Sequence, residues 1–439
     1  MEQYNMADTI YALSSGLGKG GVAVIRLSGD RVLDVLKEVA HLENPKARYA
    51  YFRPLYRGDE VLDQALVLYF SAPHSFTGED VAEFQVHGGR AVIDAVMDVL
   101  GRQAGCRPAE RGEFSRRAVI NGKMDLTEAE GLLDLINAET ERQRGQALLQ
   151  MQGNLGRLYE GWRQDLTKHM AYLEAFIDFP EEEIPPEKLG LIDRDIGELI
   201  QKIQTHLDDN RAGEKLREGF QIALIGEPNV GKSSLINALA HKDVAIVSQT
   251  AGTTRDVVEA HLDVDGFPVI LADTAGLRQS NEEIESEGIK RAVKRAGEAD
   301  LILFVRDSQK ESGEGSLPNQ LKSKTVLTVW NKVDLVSKDP IGGLSVSAKT
   351  GLGIKELWDE IRSILKRDFA ESDGLITRER YRVALKECVR NLTHALSVRE
   401  LELKAEDLRL AARNLGRITG RIEAEDLLDV IFRDFCIGK

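Results

Sequence analysis

Long apolar runs are missing from this 439-residue sequence. No stretch reaches the roughly 18 consecutive apolar residues that a membrane-crossing helix needs, so no membrane span is expected. Cysteine is scarce: Cys106, Cys388 and Cys436 are odd in number and far apart. They supply neither a disulfide framework nor a zinc cluster, and they suit a reducing compartment. The opening Met1-Glu2-Gln3-Tyr4-Asn5 has no basic stretch leading into an apolar one, so no secretory leader is expected and the expected location is cytoplasmic. Cys436-Ile437-Gly438-Lys439 has the cysteine of a prenylation box, but Gly438 and Lys439 do not fit it. Positive charge is in deficit, with 58 Lys and Arg against 72 Asp and Glu and a formal net charge of −14. That balance argues against indiscriminate nucleic-acid binding and leaves room for a local basic patch. What remains, 42% hydrophobic and 30% charged residues, is a globular composition, long enough for about two to four domains.

One stretch carries the strongest chemistry. Gly226-Glu227-Pro228-Asn229-Val230-Gly231-Lys232-Ser233 fits the phosphate-loop pattern G-x-x-x-x-G-K-[ST] without a mismatch. An apolar run of strand length, Phe220 to Ile225, precedes it, and Ser234 to Ala240 reads as the first turns of a helix. Backbone N–H groups of such a loop cradle an anion at a helix N-terminus. Lys232 would reach the β- and γ-phosphates and the Ser233 hydroxyl would hold Mg2+. Gly16-Leu17-Gly18-Lys19-Gly20-Gly21 fails the same pattern and reads as a turn.

Around this stretch the chain divides by pattern. Residues 1–121 alternate short β-like runs (Gly21–Ser28, Gln64–Phe70, Val81–Val86) with glycine-rich turns, then Arg90–Leu100 has helical spacing, giving an α+β domain. Residues 122–217 read as helical, from Leu126 to Phe176 and again from Leu191 to Asp208, broken by the proline-rich acidic stretch 179–186. Residues 218–370 alternate strands and helices. The strands are expected at Val257–Val264, Phe267–Ala272, Leu301–Val305, Thr325–Trp330 and Leu344–Val346, with helices at Ile284–Ala299 and Ile354–Leu365. That order implies a doubly wound, mostly parallel α/β sheet. Residues 371–439 turn helical again, so one helical domain interrupted by an inserted nucleotide domain is the economical reading.

Three further motifs fall at expected strand ends. Asp273-Thr274-Ala275-Gly276 would approach Mg2+ and the γ-phosphate, and Asn331-Lys332-Val333-Asp334 would recognise the base. The Asp334 carboxylate accepts two hydrogen bonds from guanine N1–H and N2–H2, whereas adenine would leave it unpaired. Ser347-Ala348-Lys349 would close over the base edge. The four motifs in order define a guanine-nucleotide domain. Leu277 follows Gly276 where Ras-like proteins place the water-orienting glutamine, so hydrolysis needs another device. Glu285 could position the water. Asn229 and backbone carbonyls of Ser248-Gln249-Thr250-Ala251-Gly252-Thr253-Thr254 could hold a monovalent cation, while Arg255 and Arg278 are alternative charge donors.

These stretches resemble the tRNA modification GTPases of the MnmE or TrmE family. The resemblance is carried by Gly21–Gly29, Phe76–Asp80 with Glu83, His87-Gly88-Gly89, Arg111–Arg116, Asn121–Leu126, Gly226–Ser234, Ala251–Asp256 and Phe435–Lys439, and covers essentially the whole chain. It implies an N-terminal α+β folate-binding and dimerisation domain, a discontinuous helical domain and an inserted Ras-like α/β G domain. It also implies potassium-stimulated GTP hydrolysis by pairing G domains, with Asn229, Ser248, Thr250 and Thr253 as potassium ligands, Ser233 and Thr254 at Mg2+, and Glu285 orienting water. Ser234, Gln249, Ala251 and Gly252 would line the nucleotide. A 5-formyltetrahydrofolate or related tetrahydrofolate would meet Arg26, Glu83, Lys123 and Lys439. A homodimer would join the FAD- and NADH-dependent MnmG subunit in a heterotetramer that adds an aminomethyl or carboxymethylaminomethyl group to carbon 5 of the wobble uridine of certain tRNAs. Cys436 is implicated in that chemistry, with a buried structural cysteine as the competing reading. The Arg107, Arg111, Arg116, Arg117 and Lys123 cluster would meet tRNA phosphates, with a folate carboxylate or structural pairing as competing readings. An Era-like ribosome-assembly switch is the alternative function, and Cys436-Ile437-Gly438-Lys439 speaks against it.

Overall fold

The computed structural model describes residues 8–16, 18–179, 186–240, 245–248, 259–273, 293–310, 317–337, 340–369, 376–422 and 425–438. It divides into two compact units. One comprises residues 1–133, 156–161 and 415–439, and the other residues 134–155 and 162–414.

The first unit is built on a six-stranded sheet. Its strands are β1 (Thr9–Leu13), β2 (Gly20–Ser28), β3 (Tyr51–Arg57), β4 (Glu60–Phe70), β5 (Val81–Gly88) and β6 (Cys106–Pro108), in the order β3-β4-β5-β2-β1-β6. Only β1 and β6 pair in parallel; the other neighbours are antiparallel. Side chains alternate across the pleat. Ala23, Ile25 and Leu27 of β2 therefore bury against Val35, Leu36, Val96 and Leu100 of the helices Val32–Ala40 and Arg90–Gly101. Ile10 and Ala12 of β1 turn to the opposite face and pack with Phe76, Ala109 and Phe114.

Residues far downstream complete this unit. Leu428, Ile431, Phe432 and Phe435 pack on Leu126, Ala129 and Leu133. Beyond them, Ile437 bridges Arg111, and the Ser14 hydroxyl donates to the Gly438 carbonyl at 2.8 Å. Gly438 has φ 93°, and a Cβ there would lie 2.3 Å from the Leu13 carbonyl oxygen, so only glycine fits.

The second unit contains a seven-stranded sheet in the order β13-β12-β11-β7-β10-β9-β8. Its strands are β7 (Phe220–Ile225), β8 (Ala245–Ser248), β9 (Glu259–Val264), β10 (Phe267–Asp273), β11 (Leu301–Asp307), β12 (Val326–Asn331) and β13 (Leu344–Ser345). β9 runs antiparallel to both neighbours and the other pairs are parallel. Phe220, Ile222 and Leu224 bury on the face that carries the helices Lys232–Ala240 and Ile354–Asp368. Ala223 and Ile302 bury on the other, against Ala296, Ala299 and Leu321. Burial on both faces explains the near-continuous apolar run of β7, interrupted by Gln221.

The helix Pro186–Leu207 packs on the helix Glu379–Ser397. Arg382 donates to the Leu207 carbonyl at 2.8 Å and to Asp209 at 2.7 Å, and Arg217 Nε donates to the Thr377 carbonyl at 2.8 Å. The chain entering the sheet domain is thus bonded to the chain leaving it, the signature of an insertion. The expected helical stretch from Leu126 to Phe176 is three helices: Leu126–Asn137, Glu141–Met151 and Asn154–Asp178. The first break is made by Thr140, whose hydroxyl and the Gln143 side chain form a capping box that starts a new helix.

Candidate nucleotide-binding site

The phosphate loop lies where the sequence places it, between β7 and the helix Lys232–Ala240. Asn229 (φ 64°) and Gly231 (φ 94°) both take left-handed backbone, the conformation that turns successive N–H groups inward. A Cβ at Gly231 would stand 2.4 Å from Asn331 Nδ2, so the base-recognition loop itself requires glycine there. Lys232 is 7% exposed and bridges the loop, donating to the Gly226 carbonyl at 2.7 Å and the Glu227 carbonyl at 2.8 Å. Ser233 and Ser234 occupy the first turn of the helix.

The strand ends beside it bring the base motif onto this loop. Asn331, buried at the end of β12, donates to the Val230 carbonyl at 2.9 Å and accepts from Ala348 N–H at 3.0 Å. Lys332, also left-handed at φ 66°, donates to the Asn229 carbonyl at 2.7 Å and to Asp307 at 2.7 Å. Partial burial pushes the Asp307 carboxyl up, but the Lys332 bond and the Gln309 N–H outweigh it and hold the group below the usual carboxylate range. Asp334 sits in the turn after Lys332, exposed, with the buried Ser347 hydroxyl donating to it at 2.6 Å. Ser347, Ala348 and Asn331 thus tie two motifs together, and Lys349 follows on the same turn. Asp307 was missed by sequence reading. Its one signal is position, a carboxylate at the carboxyl end of a parallel strand, where such sheets bind ligands.

Gln249, Thr250, Ala251, Gly252, Thr253, Thr254, Arg255, Thr274, Ala275, Gly276, Leu277, Arg278, Glu285 and Lys439 lie outside the described residues. Ser248 and Asp273 are placed as the final residues of β8 and β10.

A second constellation lies in the first unit. Arg26 and Glu83 are cross-strand partners, joined by Arg26 Nε to Oε1 at 3.0 Å. The Arg26 guanidinium stands 5.3 Å from the Phe76 ring centre and 5.8 Å from that of Phe114. Lys123 donates to the Pro73 carbonyl at 2.8 Å. Cys436 is exposed, and its carbonyl accepts from Gly112 N–H at 3.3 Å. Of the arginines weighed as phosphate ligands, Arg117 is fully buried and bonded to Glu79 and Glu113, Arg107 is bonded to Glu113 and Asp8, and Arg116 pairs with Asp429. Structural pairing takes these three.

A glycine-lysine-serine loop heading a doubly wound sheet, with the base motif locked onto it by Asn331 and Lys332, defines a P-loop GTPase. The family model described as the MnmE helical domain matches residues 126–436, and that of the GTP-binding protein TrmE N-terminus matches residues 9–123. The tRNA modification GTPase MnmE of Rhodospirillum rubrum is 50% identical, the alignment covering 98% of this chain and 99% of the relative. The protein of the same name from Parvibaculum lavamentivorans is 51% identical over 98% of this chain and all of the relative. The mitochondrial 5-taurinomethyluridine-[tRNA] synthase subunit GTPB3 of Danio rerio is 44% identical over 98% of this chain and 93% of its own. The chain belongs to the MnmE family of tRNA modification GTPases, and is a GTPase that acts in tRNA modification.

Proposed function

We propose that this GTPase uses potassium where Ras-like enzymes use an arginine finger, and Glu285 where they use the water-orienting glutamine. The observation that carries the reading is Asn229, an amide side chain on a left-handed residue of the phosphate loop, with its carbonyl fixed by Lys332. Neutral oxygen donors suit a hard monovalent cation, and Leu277 offers no hydrogen bond to water. Asn229, with backbone oxygens of Ser248, Thr250 and Thr253, would hold the ion, and Ser233 and Thr254 would hold Mg2+. The cations supply positive charge near the transferred phosphoryl group. Lys232 binds the phosphates, Asp334 with Ser347, Ala348 and Lys349 binds guanine, Glu285 orients water, and Asp273 to Gly276 follow the γ-phosphate. Pairing of G domains within a homodimer would complete the site.

The wider reading places a tetrahydrofolate at Arg26, Glu83, Lys123 and Lys439. An arginine–carboxylate pair flanked by Phe76 and Phe114 suits a polar heterocycle with a flat face. The domain limits proposed are 1–121, 122–217, 218–370 and 371–439. With a flavin-dependent MnmG partner in the cytoplasm, the protein would install an aminomethyl or carboxymethylaminomethyl group on the wobble uridine of certain tRNAs, Cys436 contributing at the folate end. GTP turnover by the full chain in KCl against NaCl at equal ionic strength tests the hydrolysis mechanism. Selective stimulation by potassium supports it, and equal rates overturn it.

A further inference from the structure

We propose that Asp307 is a positioning residue that sets the potassium response of the phosphate loop through Lys332. This rests on the reading that Asn229 ligates the cation. Three features converge. Lys332 has one ammonium and two strong acceptors at 2.7 Å, the Asn229 carbonyl and the Asp307 carboxylate. The Asp307 side chain is 10% exposed and that of Lys332 30%, so solvent competes only in part for the pair. Both Asn229 and Lys332 hold left-handed backbone, at φ 64° and 66°, which a non-glycine residue keeps only when its surroundings fix it.

The bond from Lys332 acts on the peptide that orients Asn229. Asn331 fixes the next carbonyl, Val230, by a separate bond. Two adjacent carbonyls are therefore gripped by two adjacent residues, and the amide of Asn229 is aimed by that grip. Asp307 takes the Gln309 N–H on its other oxygen at 3.0 Å, so its carboxylate is itself fixed. An amide in its place has one acceptor instead of two. If that oxygen keeps the Gln309 N–H, an NH2 group faces the Lys332 ammonium, donor against donor. Lys332 then loses one anchor, and Asn229 samples orientations that do not meet the ion.

Asp307→Asn in the full chain is the test, read by GTP turnover against KCl at constant ionic strength and saturating GTP. The potassium concentration for half-maximal stimulation should rise roughly three- to tenfold, the range for loss of one partly exposed charge-assisted bond, while the rate at saturating potassium stays near that of the unaltered protein. Asp307→Glu, which restores a carboxylate, should recover part of the shift, and both variants should melt where the parent melts. A half-activation unchanged in Asp307→Asn, beside a normal response in the parent, overturns this inference alone. A parent that ignores potassium overturns the mechanism on which it rests.

Discussion

Replacing Asp334 by asparagine should turn a guanine site into a xanthine site. The Ser347 hydroxyl donates to one carboxylate oxygen at 2.6 Å and fixes the group's orientation. Guanine offers two donors to this carboxylate. In Asp334→Asn the side chain keeps one acceptor and presents an NH2 group. One charge-assisted bond is lost, about 1.5–3 kcal/mol, and a donor then faces a donor, about 1 kcal/mol more. Summed, GTP should bind roughly 100- to 1,000-fold more weakly. Xanthosine triphosphate carries a carbonyl where guanine carries its amino group, accepts from the new NH2, and should become the preferred ligand. Because Asp334 is exposed, the melting temperature of the nucleotide-free protein should barely move. Competition of each triphosphate against a fluorescent guanine nucleotide, for parent and variant, reads the exchange. A variant that still prefers GTP by the parental ratio refutes the assignment of Asp334 to the base edge.

Gly231→Ala should weaken GTP binding more than about tenfold, because its Cβ would meet Asn331 Nδ2 at 2.4 Å and force the loop off its bonds; isothermal titration measures it. Arg117→Met should destabilise the first unit by about 3–5 kcal/mol, since it leaves Glu79 without its arginine and Glu113 with only Arg107; chemical unfolding followed by hydrogen exchange in residues 113–120 reports it. Acid should act through Glu113. Burial pushes that carboxyl up, but Arg107, the Glu110 N–H and Arg117 outweigh it and leave the folded group below its usual 4.5. A lowered carboxyl stabilises above its unfolded value and loses that contribution as pH falls through the folded one. The melting temperature should therefore drop below about pH 4.5, and the drop should be shallower in Glu113→Gln, as differential scanning fluorimetry across pH would show.

The phosphate-loop strand was legible to the residue, Phe220–Ile225, because a strand buried on both faces is apolar at nearly every position and a glycine ends it. The strands Phe267–Asp273 and Leu301–Asp307 run one and two residues beyond expectation. The added residues are polar ones at the carboxyl edge, which apolar pattern cannot see. β1, β3, β6 and β8 escaped notice. β1 is five residues long and β6 three, and β6 contains a proline tolerated at a sheet edge. The motif residues of the nucleotide site were legible because each chemistry needs its residue type. Asp307 was not, since a carboxylate that orients a lysine looks in sequence like any surface acid. Arg117 was legible as a charge but not as a buried one. Its partner Glu79 lies 38 positions away, and only the fold brings the two together.

The junction of Ser14 with Gly438 spans 424 positions of chain. A ribosome adding about 5–20 residues per second needs on the order of half a minute to travel from one to the other. Until then the first unit lacks the Phe432 and Phe435 side chains that cover Leu126 and the glycine that seats on Leu13.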